Sequence, residues 1–286
     1  MLDLFQKMDK TMNHGEQNIS PVLKPGLYIV PTPIGNLSDI TLRAIHTLQS
    51  AAAIYCENTN HSIKLLSHYQ ISTPLAVYND HSNSNDRHKI LRRSQREAIA
   101  LISDAGMPLI SDPGYKLVQE AYANDIYVTV LPGPCAVITA IALSGMPTDC
   151  FTFLGFFDAS RVINFKDTNT TLAFYESPKR LVATLQWICD HMSDRTVSVC
   201  RELSKHHEEN CRGEAAHILA HFQARDTIKG EYVIMLSPPR DKEYTDGDIL
   251  NLFQDNPYHL EGKNLIAYVS DKYNIPRRRV YQVYHQ

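Results

Sequence analysis

Short apolar runs recur through the first half of the chain, each ended by a polar turn. Gly26 to Val30, Ala51 to Tyr55, Leu75 to Tyr78, Ile99 to Ile102 and Ile126 to Leu131 are each of strand length. Compact runs of this kind predict strands buried on both faces. Between them apolar residues return at helical spacing, first at Ile40, Leu42, Ile45 and Leu48, where Ser38 or Asp39 is the expected cap. Further helices are expected through Ile63, Leu65 and Leu66, over the basic stretch Lys89 to Arg96, and around Leu117, Val118 and Ala121. Pro132-Gly133-Pro134-Cys135 then turns into a small apolar segment, Ala136 to Ser144. Strand alternating with helix implies parallel strands joined by right-handed crossovers, an α/β unit over residues 25–145.

After a linker at Gly145 to Asp149 the strands crowd together, at Phe151 to Phe156, Thr171 to Tyr175, Thr196 to Cys200 and Tyr232 to Leu236. Helices are expected at Pro178 to Cys189 and Glu214 to Phe222. This predicts a second α/β unit with a mixed sheet over 146–240, closed by Pro238-Pro239-Arg240. Residues 241–286, with Leu250, Phe253, Leu265, Ile266 and Val269, read as a helical appendage ending in Pro276-Arg277-Arg278-Arg279. Residues 1–24 are polar and expected to be a poorly ordered tail.

The composition, 43% hydrophobic and 21% charged over 286 residues, is that of a folded globular chain. A net charge of −3 leaves any RNA contact to local basic patches. The N-terminus lacks the pattern of a secretory signal and no apolar run is long enough to span a membrane, so a cytoplasmic protein is expected. Six scattered cysteines without a CxxC pair predict reduced core residues, with neither a metal site nor a disulfide framework. Neither GxxxxGK[ST] nor GxGxxG follows any strand, which sets aside a P-loop enzyme or a dinucleotide dehydrogenase.

One stretch stands out chemically. The fourth strand runs into Ser103-Asp104-Ala105-Gly106-Met107-Pro108 and, almost at once, Ser111-Asp112-Pro113-Gly114. Gly106 permits positive φ or close ligand approach, the prolines stiffen the path, and the aspartates can hold turns. Loops beyond the carboxyl ends of parallel strands are where open α/β sheets bind ligands, so this is the expected cofactor loop.

Five strings, PTPIGNLSDITLRA (31–44), SDAGMPLISDPGY (103–115), LPGPCA (131–136), FYESPKR (174–180) and RELSKHHEE (201–209), occur in order. Together they resemble the ribosomal RNA small-subunit methyltransferase I family of the tetrapyrrole-methylase superfamily. The resemblance covers about Gly26 to Leu236. It implies two α/β domains of the class III methyltransferase type, with S-adenosylmethionine in the interdomain cleft and usually a homodimer. The implied reaction is 2′-O-methylation of a cytidine in the decoding region of small-subunit (16S) rRNA, within the assembling 30S subunit.

By the same resemblance Pro31, Asp104, Ala105, Gly106, Met107, Pro108, Cys135, Ala136, Tyr175, Gly230 and Glu231 would contact the cofactor. Gly35, Asn36, His61, Arg92, Arg93 and Arg161 would face the substrate. Methyl transfer needs the ribose oxygen aligned with the methyl group, and a base to take its proton. Glu57, His61, Glu202 and Lys205 are the candidates at the strand ends, of which Glu57, Glu202 and Lys205 are taken as catalytic; an acid buried by pairing with a neighbouring cation is the alternative for Glu202 and for Glu57. The chain departs from the family pattern at Asn58 and Asn60, at Met107 and Cys135, and at Asp158-Ala159-Ser160-Arg161, where a basic loop is usual. Lost cations weaken an RNA face, since phosphate contacts carry much of the affinity. A small-molecule or tetrapyrrole methylase, or a paralogue that binds RNA without turnover, therefore stays open.

Overall fold

The computed structural model describes residues 23–79, 81–240, 244–273 and 275–286, so the N-terminal tail up to residue 22 lies outside it. Strands β1 (Gly26–Ile29), β2 (Ala53–Cys56), β3 (Leu75–Val77), β4 (Ala98–Leu101) and β5 (Val128–Val130) form a parallel sheet in the order β3-β2-β4-β1-β5. Helices α1 (Leu42–Ser50), α2 (Thr59–His68), α3 (Ser84–Ser94) and α4 (Tyr115–Ala123) lie along the connections. The strands are apolar throughout because alternate residues feed two cores. Leu27, Ile29, Ile99 and Leu101 pack with Ile90 and Leu91 of α3 and with Leu117 of α4. Tyr28, Ala98 and Ala100 pack with Ala44 and Leu48 of α1 and Leu66 of α2.

The cap of α1 is Thr41, whose hydroxyl accepts from the Ala44 amide at 3.0 Å, and not Ser38 or Asp39. Those two residues form a 3-10 turn of their own, capped by Asn36, and Ile40 leaves it in an extended conformation before the helix begins.

Helix α5 (Ala136–Ser144) follows β5 in sequence yet packs elsewhere. The second sheet contains β6 (Phe151–Phe156), β7 (Thr171–Glu176), β8 (Thr196–Arg201), β9 (Glu209–Glu214) and β10 (Tyr232–Leu236), in the order β6-β7-β10-β8-β9. Only β6 and β7 pair in parallel; the other pairs are antiparallel. One face, with Leu172, Phe174, Val197, Val199 and Ile234, packs on α6 (Leu181–His191) and α7 (Ala215–Gln223). The other, with Ala173, Cys200, Val233 and Met235, packs on Val137, Ala140 and Ile141 of α5 and on Ile34 from the loop after β1. The second sheet's core thus takes in Ile34, from a loop of the first sheet, and helix α5. Strand β9, ENCRGE, escapes a sequence reading because it is an edge strand whose polar residues show no apolar period.

Arg195 is fully buried and donates to five backbone carbonyls, those of Phe165, Lys166, Thr168, Thr170 and Ser237, at 2.7–3.0 Å. It ties the loop before β7 to the end of β10. Burial pulls its pKa down to about 10.

Helices α8 (Asp246–Gln254), α9 (Gly262–Tyr273) and α10 (Arg277–Tyr284) close on a small core of Ile249, Leu265, Ile266, Val269, Val280 and Val283. Arg277 to Arg279 begin α10 rather than end the appendage, because Pro276 is tolerated at a helix start. No helix among the described residues is long and apolar enough to cross a membrane.

Candidate active site

The site is built where the loops after β1 and β4 meet the second sheet. Thr32 and Gly106 exchange both backbone hydrogen bonds, at 2.9 and 3.0 Å, which lashes the two loops together. Gly106 sits at φ +80, and a Cβ there would come within 3.1 Å of Ile34. The sequence therefore needs glycine to let Ile34 turn toward the second sheet. Leu109 and Ser111, further along this loop, also hold left-handed backbone, as do Glu202 and Ser204 after β8. Four of the seven non-glycine residues in that conformation among the described residues thus lie in two loops of one site, the usual place for stored strain.

From the second sheet, β7 sends its last residues to opposite sides. Tyr175 packs against the cluster that holds α5, and burial raises its pKa. Glu176 points the other way and is buried, accepting from Ser177 N, Arg180 Nε and Thr184 Oγ1 at 2.6, 2.9 and 2.5 Å. The FYESPKR string thereby supplies four residues that line the first cavity, Tyr175 to Pro178, and the Glu176 carboxylate among them also anchors the start of α6.

After β8, Ser204 donates to Asp39 of the first half, bridging the cleft. Glu202 Oε1 accepts from Lys205 Nζ and from the Glu231 amide, each at 3.0 Å. Lys205 also reaches Glu231 Oε2 at 3.1 Å. Burial alone would raise the Glu202 pKa, but these two donors hold it below the usual carboxylate value. Burial opposes the charge on Lys205 as well, yet its two carboxylate partners raise its pKa. Gly230, at φ +108, leaves no room for a side chain; a Cβ would lie 2.8 Å from Glu202 Cγ.

Two adjoining cavities result. One, of about 410 Å³, is mainly apolar, with Ile34, Ile110, Phe156, Tyr175, Leu203 and Val233 among its walls. The other, of about 310 Å³, is walled by Thr32, Gly35, His61, Lys64 and Lys205. Ile34, Asp104, Ala105 and Glu231 line both. Asp104 Oδ1 is buried at this junction with no hydrogen-bond partner. A buried carboxylate oxygen left without a donor is costly, and a ligand hydroxyl or ammonium would satisfy it. With an apolar wall and the bare backbone of Gly230, these residues fit a nucleoside-bearing cofactor such as S-adenosylmethionine.

Of the residues expected at the cofactor, Asp104, Ala105, Ala136, Tyr175, Gly230 and Glu231 line the first cavity. Pro31, Gly106, Met107, Pro108 and Cys135 do not line it. Pro31 packs under Gly133, Gly106 shapes the loop, and Cys135 caps α5. Gly35, His61 and Lys205 line the second cavity, and Glu202 stands behind its wall through Lys205. Glu57, Asn36, Arg92, Arg93 and Arg161 line neither. Arg92 and Arg93 lie on α3, which packs on β4 and α4, and Arg93 pairs with Glu97. Arg161 is exposed beyond β6. Lys64 is a cavity residue that the sequence reading passes over, although it follows His61 at i+3 on one helix face.

The family model for tetrapyrrole (corrin/porphyrin) methylases matches residues 26–219. The ribosomal RNA small subunit methyltransferase I of Halalkalibacterium halodurans is 39% identical over 277 residues, 92% of this chain and 96% of that one. The protein of the same name from Hydrogenobaculum sp. is 45% identical, over 74% of this chain and 95% of its own. Among solved structures, uroporphyrin-III C-methyltransferase from Thermus thermophilus, complexed with S-adenyl homocysteine, shares the fold. Its TM-score is 0.53 at 15% identity, covering 74% of this chain and 97% of that one. With its two α/β sheets, its shared cleft and these relatives over most of its length, the chain belongs to the ribosomal RNA small subunit methyltransferase I family of tetrapyrrole methylases.

Proposed function

We propose that the chain methylates the ribose 2′-hydroxyl of a cytidine in the decoding region of small-subunit rRNA, within a partly assembled subunit. It does so in the cytoplasm and as a homodimer, a state that the family resemblance carries. The observation behind the reading is the pair of cavities sharing Asp104 and Glu231, one mainly apolar and one that adds His61, Lys64 and Lys205 to those two carboxylates. The first suits the cofactor, the second a nucleotide. S-adenosylmethionine supplies an electrophilic methyl group on a good leaving group. What is left to the chain is chiefly alignment and proton handling.

Asp104 would accept from a hydroxyl or ammonium group of the cofactor, while Tyr175, Phe156 and Val233 offer apolar surface. In the second cavity, Lys64 and Lys205 bring positive charge toward an RNA phosphate or ribose. Lys205, held protonated by two carboxylates, acts as an electrostatic partner and not as a base. Glu202 positions it. Its carboxylate is already engaged by Lys205 and by the Glu231 amide. The proton acceptors lining this cavity are His61, Asp104 and the Glu231 carboxylate, the last already paired with Lys205.

The test is methyl transfer from radiolabelled S-adenosylmethionine to small subunits from cells lacking this protein. Label at a ribose 2′-oxygen of the rRNA is expected. Label absent from the rRNA, with the cofactor still bound, would refute the substrate assignment.

A further inference from the structure

On the far side of the second sheet, β9 and α7 place three metal-ligating groups together. Glu209 and Cys211 are two residues apart on the inward face of β9, and His221 approaches from α7. Cys211 Sγ lies 3.1 Å from Glu209 Oε1 and 3.5 Å from His221 Nε2, and His221 Nε2 lies 3.3 Å from Glu209 Oε1. A tetrahedral cation with metal–nitrogen and metal–oxygen bonds of about 2.0–2.1 Å and a metal–sulfur bond of about 2.3 Å sets its ligands roughly 3.3–3.6 Å apart. The three atoms already trace one face of that tetrahedron.

The geometry points to a site for a thiophilic divalent cation of the zinc class, held by Glu209, Cys211 and His221, with a fourth position open to water. A second observation marks the same spot as a cation position. The Arg225 guanidinium donates to Glu209 Oε1, and its Nη2 lies 2.6 Å from His221 Nε2. Arg225 is the resident cation of the metal-free form. Metal binding displaces its side chain to solvent and releases the Cys211 thiol proton to water. The thiolate and carboxylate then balance the divalent charge. Because the ligands are two residues apart on a strand and ten further on in a helix, no CxxC spacing announces them in the sequence. Glu209 begins β9, directly after the loop that carries Lys205, so a bound cation would fasten the base of that loop to α7.

The test is titration of the full chain with Co²⁺, followed by Zn²⁺ competition. One cobalt per chain is expected, with a thiolate-to-metal band and tetrahedral visible absorption, both abolished by zinc. Cys211→Ser removes the thiolate band. His221→Ala, on a side chain 46% exposed and so tolerant of change, weakens binding without lowering the unfolding midpoint. Arg225→Gln tightens cobalt about tenfold, because it removes a competing unit charge whose repulsion is on the order of 1 kcal/mol or more. A thiolate band that survives Cys211→Ser, or no cobalt bound even by Arg225→Gln, would overturn the assignment.

Discussion

Asp104 offers a perturbation in which binding and stability move independently. Its Oδ1 is buried and unpartnered in the free protein, so deleting the carboxylate breaks no hydrogen bond at that oxygen. It also removes an unsatisfied group whose burial costs about 1–3 kcal/mol. Asp104→Ala should therefore leave the unfolding free energy unchanged or raise it. If a cofactor hydroxyl or ammonium completes this oxygen, the same change loses a charge-assisted hydrogen bond of about 1.5–3 kcal/mol. That is a rise of roughly 10- to 150-fold in Kd. Asp104→Asn keeps an acceptor and loses only the charge assistance, about half the energy, for a rise of roughly 3- to 12-fold. Calorimetric titration with S-adenosylmethionine, beside urea unfolding of the three proteins, reads both quantities. An unchanged Kd in Asp104→Ala would refute the argument. So would a graded loss of stability in place of a graded loss of affinity.

Replacing Arg195 by Met should lower the unfolding free energy by about 3–5 kcal/mol, because five carbonyls lose their shared donor in the core; denaturant titration measures it. Lys205→Met should cut kcat/KM for small subunits by about 100-fold while altering cofactor affinity little, since Lys205 lines only the second cavity. Equal losses in both would contradict the division of labour between the cavities. Glu202, held below its ordinary 4.5, contributes stability that is complete above that pH and lost as pH falls through its lower folded value. Lys205, held above 10.5, contributes stability that is complete below that pH and lost as pH rises through its higher folded value. Unfolding measured over a pH series should show a shallower acid limb in Glu202→Gln than in the wild type.

Much of the fold is legible because burial writes itself into sequence. The strands of the first sheet are continuous apolar runs, and β6, β7, β8 and β10 keep enough of that character to be found. Strand β9 is not found: ENCRGE pairs through its backbone at an edge, and backbone pairing leaves no apolar signature. The cavity-lining loop after β4 is readable from its turn chemistry, and Tyr175 and Gly230 as cavity residues through resemblance. What the sequence hides is which side chains the long-range contacts select. Met107 and Pro108 lie close to Asp104 in the chain yet line neither cavity. Lys64 enters it because α2 is rotated to bring the His61 face inward. Glu202 resembles a catalytic acid until the Glu231 amide, 29 residues away in sequence, is seen to occupy it.

The contact of Ile34 with the second sheet has a consequence during synthesis. Ile34 belongs to the first strand-loop unit to leave the ribosome, and Val233 and Met235, in the same cluster, belong to the last strand of the second sheet. Until β10 emerges, the strand that joins β7 to β8 over Ile34 and α5 is absent, and Gly230 and Glu231 are missing from the cleft. A nascent chain can complete its parallel sheet early, yet the cavity proposed for the cofactor is complete only when some four-fifths of its length has been made. Competence to bind the methyl donor is therefore a late event. It reports that both halves have been joined correctly.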